Sequence, residues 1–144
     1  MNCPFTIVQA DVAISGDGKL LATASFDRTT KIWSLEDTLC QQTLRGHDGS
    51  VRAVTFVGKD GAFVVTASDD KSAILWSTGD GMMVREFSGH SDGVKGVQVS
   101  NDGQFVVTRS NDYLVRLWSL SDGKLLHSFR GLGFVQDLAI CPNG

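Results

Sequence analysis

The sequence has few cysteines, and no motif ties them together. Its 144 residues include three cysteines, Cys3, Cys40 and Cys141, which are widely separated along the chain. An odd and scattered set argues against a disulfide framework, and the lack of a Cys-x-x-Cys spacing argues against a zinc site. We therefore expect three reduced thiols, which is typical of a protein of the cytoplasm or the nucleus.

Long apolar runs and an excess of positive charge are also missing. No apolar run approaches the roughly 20 residues of a membrane span, and the first residues lack the basic and apolar regions of a signal peptide. The formal net charge is -3. Nucleic acids and anionic membranes attract basic surfaces, so neither is an expected partner. A hydrophobic content of 42% with 20% charged residues is typical of a globular domain.

The usual signatures of catalysis are absent as well. Most of the glycines follow aspartate at predicted turns or precede histidine, and none forms a Gly-x-Gly-x-x-Gly phosphate loop. No pair of carboxylates has a spacing that suggests glycosidase chemistry. His127 lies in a predicted outer strand without a second ligand at a zinc-like spacing. We therefore expect no enzyme activity, no cofactor and no metal.

What the sequence does contain is a repeat. The tryptophans Trp33, Trp76 and Trp118 are 43 and 42 residues apart, and each follows a Thr-x-Ser-x-Asp run by six residues. Two of the three copies begin with Gly-His, at 46–47 and 89–90. Self-similarity at this period indicates a propeller built from four-stranded blades.

Each copy contains four short segments that are typical of strands and are separated by turn signals. Asp-Gly pairs supply the positive φ of tight hairpins. The second segment of each copy is almost wholly apolar, as expected for a strand covered on both faces, and the fourth is more polar and therefore outer. The predicted strands are 11–14, 20–24, 30–33 and 41–44, then 51–57, 62–66, 73–76 and 83–87, then 94–99, 104–108, 114–118 and 124–129.

The copies predict how the chain is divided. The repeats cover about 6–45, 46–88 and 89–130, and the start of a fourth covers 131–144, where 134–140 matches a first strand. A closed propeller has about four to eight blades. Because repeat arrays need caps or neighbours, we expect either a fragment of a longer propeller protein or self-association that closes the ring.

The Gly-His pairs, the Thr-x-Ser-x-Asp runs and the spaced tryptophans resemble the WD-repeat β-propeller family over essentially the whole chain. The chain departs from the family pattern where serine follows each tryptophan, and where Phe5 and Leu132 stand in place of histidine. The resemblance implies an all-β propeller segment with three four-stranded antiparallel blades and the first strand of a fourth. It also implies a non-catalytic protein-interaction scaffold. The alternative is the propeller part of a larger enzyme or regulatory protein whose catalytic domain lies outside this chain.

The resemblance further implies a buried hydrogen-bonded tetrad of His, Thr, Asp and Trp in each blade. Tryptophan donates a hydrogen bond, and a threonine hydroxyl both donates and accepts. Neutral histidine donates at one ring nitrogen and accepts at the other. Because the spacing recurs from blade to blade, a catalytic role is disfavoured. The tetrads would be His47, Thr66, Asp70 and Trp76 in the second copy, His90, Thr108, Asp112 and Trp118 in the third, and, without a histidine, Thr23, Asp27 and Trp33 in the first.

A partner-binding face is also implied by the resemblance. Residues five after the tetrad histidine and residues just before the tetrad aspartate would open onto one propeller face around the central channel. Charged and aromatic residues on a rigid scaffold are typical of binding sites. The alternative is that Arg52 and Asp69 only form a solvated ion pair, worth about 1 kcal/mol at most. The predicted face, which would bind a protein or peptide, comprises Arg52, Lys95, Gln136, Phe26, Asp69, Asn111 and Ser50.

Overall fold

The structure is a computed structural model that describes residues 9–131 and 139–140. This part of the chain contains twelve strands, arranged as three four-stranded antiparallel sheets. The predicted first strand of a fourth blade, at 134–140, falls almost entirely outside the described residues. None of the described residues belongs to a helix that is long and apolar enough to cross a membrane.

Consecutive strands are neighbours within each sheet, so every sheet is an up-and-down meander, the topology of a propeller blade. Blade 1 contains β1 (Gln9–Ile14), β2 (Leu20–Ser25), β3 (Thr29–Ser34) and β4 (Cys40–Arg45). Blade 2 contains β5 (Val51–Val57), β6 (Phe63–Ser68), β7 (Ser72–Ser77) and β8 (Met83–Ser88). Blade 3 contains β9 (Val94–Val99), β10 (Phe105–Ser110), β11 (Leu114–Ser119) and β12 (Leu125–Arg130).

The hydrophobic core lies between the blades. One buried cluster fills the space between blades 1 and 2 and includes Ile32, Leu44 and Trp76. A second cluster lies between blades 2 and 3 and includes Phe87 and Trp118. Blade 2 is therefore covered on both faces, and the first strands of the three blades pack against one another at the inner edge.

The second strands of blades 2 and 3, β6 and β10, differ in how deeply they are buried. In β6 every residue after Phe63 is buried, as expected for a strand covered on both faces. In β10 buried residues alternate with half-buried ones. Among the described residues, blade 3 has a neighbouring blade on only one face, and the half-buried positions of β10 are consistent with this.

Turns with one shared geometry join the second and third strands of every blade. The residue after the predicted tetrad aspartate has a positive φ, of 74° at Arg28, 75° at Lys71 and 67° at Tyr113. In each turn that aspartate accepts a hydrogen bond, at 2.9 to 3.0 Å, from the backbone N–H two residues further on. An aspartate that bonds its own backbone two residues on is a turn former, and it holds the residue after it in the left-handed region.

Cys40, the first residue of β4, is disulfide-bonded. The expectation of three reduced thiols is therefore wrong. The other two cysteines of the chain, Cys3 and Cys141, lie outside the described residues. Wide spacing along the chain did not exclude a disulfide, because bridging depends on the distance between the folded Cα atoms.

Candidate functional site

Blade 2 brings the four residues of its predicted tetrad into one chain of hydrogen bonds. The Trp76 Nε1–H donates to Thr66 Oγ1 at 2.8 Å. Thr66 Oγ1 lies 2.7 Å from His47 Nε2, and His47 Nδ1 lies 2.7 Å from Asp70 Oδ2. A neutral His47 that accepts at Nε2 and donates at Nδ1 satisfies every group. Burial alone would raise the pKa of Asp70, but hydrogen bonds from His47 and Ser72 outweigh it and hold the pKa well below its usual value.

Blade 3 repeats this arrangement. Trp118 Nε1 donates to Thr108 Oγ1 at 2.9 Å, Thr108 Oγ1 lies 2.7 Å from His90 Nε2, and His90 Nδ1 lies 2.7 Å from Asp112 Oδ2. The side chains of His90 and Asp112 are only 1% and 2% exposed. Burial lowers the pKa of His90 and outweighs the raising effect of the Asp112 carboxylate. Burial would raise the pKa of Asp112, but the hydrogen bond from His90 and two backbone N–H groups lower it. The pair is thus a neutral imidazole and a carboxylate.

The described residues of blade 1 contain part of the same network. Trp33 Nε1 donates to Thr23 Oγ1 at 3.1 Å, as in the other blades. Asp27 accepts hydrogen bonds from the backbone N–H and the hydroxyl of Thr29, at 2.9 and 2.6 Å. Phe5, which stands in the place of the histidine, lies outside the described residues. In the described part of blade 1, the structure joins Trp33 to Thr23 and uses Asp27 to shape the following turn.

Steric crowding explains why glycine precedes each tetrad histidine. Gly46 and Gly89 have φ values of 156° and 132°, which L side chains rarely adopt. A Cβ on Gly46 would lie 3.0 Å from the Trp76 ring, and one on Gly89 would lie 2.7 Å from Arg116 Nη1. Glycine therefore lets the backbone cross closely over the tetrad tryptophan or its neighbouring arginine.

Two residues of the predicted face, Arg52 and Lys95, are the extra residues of β-bulges. The pairing of β5 with β6 passes from Val51 directly to Ala53, and the pairing of β9 with β10 passes from Val94 to Gly96. A bulge leaves the extra residue unpaired and re-aims its side chain. The bulges thus direct both cations to the same end of the inner strands.

Asp69 joins these two cations across the boundary between blades 2 and 3. Arg52 Nε and Nη2 donate to Asp69 Oδ2 at 2.9 and 2.6 Å, and Lys95 Nζ donates to Asp69 Oδ1. Burial would raise the pKa of Asp69, but its hydrogen bonds to Arg52 and Lys95 and their charges lower it. The aspartate is therefore ionised and shared between two cations.

Phe26 and Ser50 extend this arrangement to blade 1. The Arg52 guanidinium carbon lies 4.5 Å from the centre of the Phe26 ring, within the range of a cation–π interaction. The Ser50 hydroxyl donates to the Phe26 carbonyl oxygen at 3.0 Å. We call these residues together the channel cluster; its members are Phe26, Ser50, Arg52, Asp69 and Lys95.

Asn111 of the predicted face is not part of this cluster. The Asn111 backbone N–H donates to the Gly93 carbonyl at 3.1 Å, just as Asp69 N–H donates to Ser50. Within the described ranges, no hydrogen bond or ring contact joins the Asn111 side chain to the channel cluster. Gln136 lies outside the described residues.

A polar hollow lies beside the channel cluster and was not predicted from the sequence. Its volume is about 300 Å³, and its lining includes Asp11 and Arg109 in addition to Arg52 and Lys95. One signal could have found Arg109, because the first two repeats have alanine at the same place in their Thr-x-Ser runs. Asp11 is the first residue of the predicted strand 11–14, but no motif of the repeat singled it out.

Meander sheets that pack face to face, with a buried His–Thr–Trp–Asp network, define a repeat-built β-propeller. The family described as "WD domain, G-beta repeat" matches residues 7–34, 38–77 and 81–119. The chain therefore belongs to the WD-repeat family, and both the resemblance and the predicted fold class are confirmed.

One curated protein shares a shorter stretch with this chain. Coatomer subunit beta'-1 of Arabidopsis thaliana is 44% identical over 46 residues, which is 32% of this chain and 5% of that protein. The match therefore covers about one repeat of this chain and a small part of the relative's length.

Proposed function

We propose that this chain is a non-catalytic protein-interaction scaffold, and that the channel cluster docks a protein or peptide partner. The observation that carries the proposal is the convergence of two cations, a shared carboxylate and a partly exposed phenylalanine from three blades. Membership of the WD-repeat family supports the same reading. Arginine and aromatic residues are also enriched where proteins bind one another.

Partial exposure of the cluster supports this role. The side chains of Arg52, Lys95 and Asp69 are 34%, 24% and 27% exposed, so a partner can reach each of them. Their mutual hydrogen bonds hold them in place before binding, which lowers the entropic cost of ordering them in a complex. The alternative of a simple Arg52–Asp69 ion pair does not account for the contacts of Lys95 with Asp69 and of Arg52 with the Phe26 ring.

Several finer points stay predictions. These are the repeat boundaries, the larger enzyme or regulatory protein as an alternative, and a location in the cytoplasm or nucleus. The disulfide at Cys40 removes the thiol argument for that location. The net charge of -3 still favours a protein partner over a nucleic acid or a membrane.

Charge reversal tests the proposal. We expect the double variant Arg52→Glu with Lys95→Glu to lose partner proteins that the parent captures from a lysate. The matched control is Lys124→Glu, since that lysine is 78% exposed and precedes an outer strand. Denaturant midpoints of all variants check that the fold is retained; that of the double variant should fall somewhat, because Asp69 then faces two glutamates in place of Arg52 and Lys95.

A triple variant separates binding from internal pairing. Arg52→Glu, Lys95→Glu and Asp69→Lys together restore opposite charges within the cluster while reversing the charges that a partner meets. Partner capture should remain lost in this variant. Recovery of capture, no loss in the double variant, or equal loss in the Lys124→Glu control would refute the docking role.

A further inference from the structure

Side chains on the fourth strands link each blade to the next one near the outer edge. In blade 1, the Gln42 Nε2–H donates to the Gly79 carbonyl oxygen of blade 2 at 2.9 Å. In blade 2, Arg85 donates from Nη2 to the Ser121 carbonyl oxygen of blade 3 at 2.7 Å. Both donors are the third residue of their strand, and both acceptors lie two residues after the third strand of the next blade. A polar side chain at this position therefore links a blade to the turn of its neighbour.

His127 is the third residue of β12, so it takes the linking position in blade 3. Its strand is exposed along its whole length. Phe129 points to the same face as His127, since side chains two apart in a strand share a face, and it is 57% exposed. The residues equivalent to Phe129 in the other two blades are buried between blades. Blade 3 therefore presents both parts of an inter-blade contact, and no further blade follows it among the described residues.

Blade 1 presents the complementary face. Val54 of β5 and Val97 of β9 pack in the clusters shared with the preceding blade and are 4% and 7% exposed. The equivalent Val12 of β1 is 58% exposed, and Ile14, two residues further on, is 62% exposed. All three valines lie two residues after the bulge of their strand. One chain therefore carries one uncovered face of each kind, and a second copy supplies the match for both.

The turn of blade 1 that would meet the linking residue suits a side chain shorter than arginine. In the other two blades this turn has Gly81 or Gly123, and a Cβ on either would lie 2.9 Å from the linking side chain of the preceding blade. Blade 1 has Thr38 at the same place, with a φ of 61° beside 72° and 75° for the glycines. The threonine side chain fills the space that the glycines leave open. His127, which is shorter than arginine, therefore fits this turn.

We propose that two copies of this chain associate head to tail, with blade 3 of each copy packed against blade 1 of the other. The His127 ring donates to the backbone carbonyl of the second copy's Glu36, which holds the acceptor position of its turn. Phe129 packs on the face that carries Val12. A head-to-tail contact forms a ring if its rotation closes. Two copies of the described part bring six blades, within the range of about four to eight for a closed propeller, whereas three copies would bring nine.

Mixing two complementary variants distinguishes this arrangement from other forms of association. Phe129→Lys places a charge in the face of blade 3, and Val12→Lys with Ile14→Lys places two charges in the face of blade 1. Light scattering over a range of concentrations should give the parent twice the chain mass of 15.5 kDa. Each variant alone should be a monomer, because every contact of the ring uses one face of each kind. An equimolar mixture should form a 1:1 dimer, because one contact in it keeps both parent faces.

A second set of variants tests the link itself. His127→Ala should raise the dissociation constant of the dimer about 30-fold, since one hydrogen bond is lost in each of two contacts. Ser128→Ala is the matched control and should leave the constant unchanged, because its side chain points to the opposite face of β12. His127→Arg should also weaken the dimer. Thr38→Gly in the same chain should restore it, because the pair then repeats Arg85 with Gly123.

Three results would overturn the inference. They are a parent that stays monomeric or forms aggregates of no defined mass, a face variant that still self-associates on its own, and a mixture of the two face variants that stays monomeric. An unchanged constant for His127→Ala, or no rescue of His127→Arg by Thr38→Gly, would overturn the role of the histidine. The contact includes no residue of the channel cluster, so partner capture by the charge-reversal variants judges the proposed function separately.

Discussion

Thr66 stands at the centre of the polar network of blade 2. It has no exposed surface, and its hydroxyl meets both the Trp76 indole and the His47 ring, at 2.8 and 2.7 Å. A buried polar group left without its partner costs about 1–3 kcal/mol. The network therefore favours a single placement of the loop before β5 relative to β6 and β7.

Removing one member of this network should lower stability. Trp76→Phe deprives Thr66 of its donor, and Asp70→Ala removes the acceptor for His47 and for the backbone of the following turn. Each change should lower the free energy of unfolding by about 1–3 kcal/mol, measured by urea denaturation. Trp33→Phe is the matched control and should cost less, because Trp33 is only half-buried. Midpoints for Trp76→Phe and Asp70→Ala equal to that of the parent would contradict the structural role.

His90 should make stability depend on pH. Burial lowers its pKa from the usual 6.5 in the folded protein, so the unfolded state takes up the proton first as the pH falls. Stability should therefore decrease as the pH falls through about 6.5 towards the folded pKa. Asp112, whose pKa is also lowered, adds stability that is lost at a more acidic pH, below its usual value of 3.8.

Urea midpoints at pH 7.5, 6.5 and 5.5 measure the histidine effect. The parent and the variant His127→Gln, whose histidine is exposed on β12, should lose stability over this range. His90→Gln should show a flatter dependence, although it is less stable at every pH. A parent midpoint that does not change with pH, or equal slopes in both variants, would be evidence against the assignment.

At the scale of the strand, each blade uses the same two local devices. A bulge interrupts every first strand near its start, and a left-handed residue follows the tetrad aspartate in every turn after the second strand. The bulge aims a side chain away from the sheet, and the residue just before the tetrad aspartate lies beside that side chain. Together these devices bring Arg52 to Asp69, although 17 residues separate them in the chain.

The fourth strands show how burial depends on the neighbouring blade. The fifth residue of β4 and of β8 is buried, Leu44 at 1% and Phe87 at 1% exposure, whereas the equivalent Phe129 of β12 is 57% exposed. The apolar side chain at this place is therefore a contact to the next blade. The prediction that the fourth strand is outer describes the rest of it, although the exposed positions of β8 and β12 include the apolar Met83, Val84, Leu125 and Leu126.

The whole molecule, in its described part, ends in two apolar faces. Blade 1 exposes Val12 and Ile14, at 58% and 62%, and blade 3 exposes Phe129. The equivalent faces of blade 2 are buried in the two inter-blade clusters. Burying one such side chain contributes about 1.5–3 kcal/mol, so both faces favour a covering neighbour.

We expect the isolated 144-residue chain to self-associate into a closed ring or to aggregate. Light scattering on purified protein over a range of dilutions measures its mass. Phe129→Lys should raise the share of monomer, since it places a charge in the face that a neighbour would cover. The exposed Lys124→Ala is the control and should behave as the parent does. A monomer that unfolds cooperatively at high dilution would show the expectation to be wrong.

The repeat, its three sheets and the side chains able to form each tetrad could be predicted from the amino-acid sequence. These follow from local physics: the period sets the blade length, alternating apolar segments set the strands, and Thr, His and Trp have complementary donors and acceptors. The positions of Arg52 and Lys95 relative to each histidine were also readable from the repeat.

The side-chain contacts between neighbouring blades, by contrast, depend on the tertiary structure. It joins Lys95 of blade 3 to Asp69 of blade 2, places Arg109 against Gly96 and includes Cys40 in a disulfide. Each of these depends on how closely neighbouring sheets approach and on where a bulge turns a side chain. Spacing along one chain does not encode those distances, because the packing of the whole set of blades sets them.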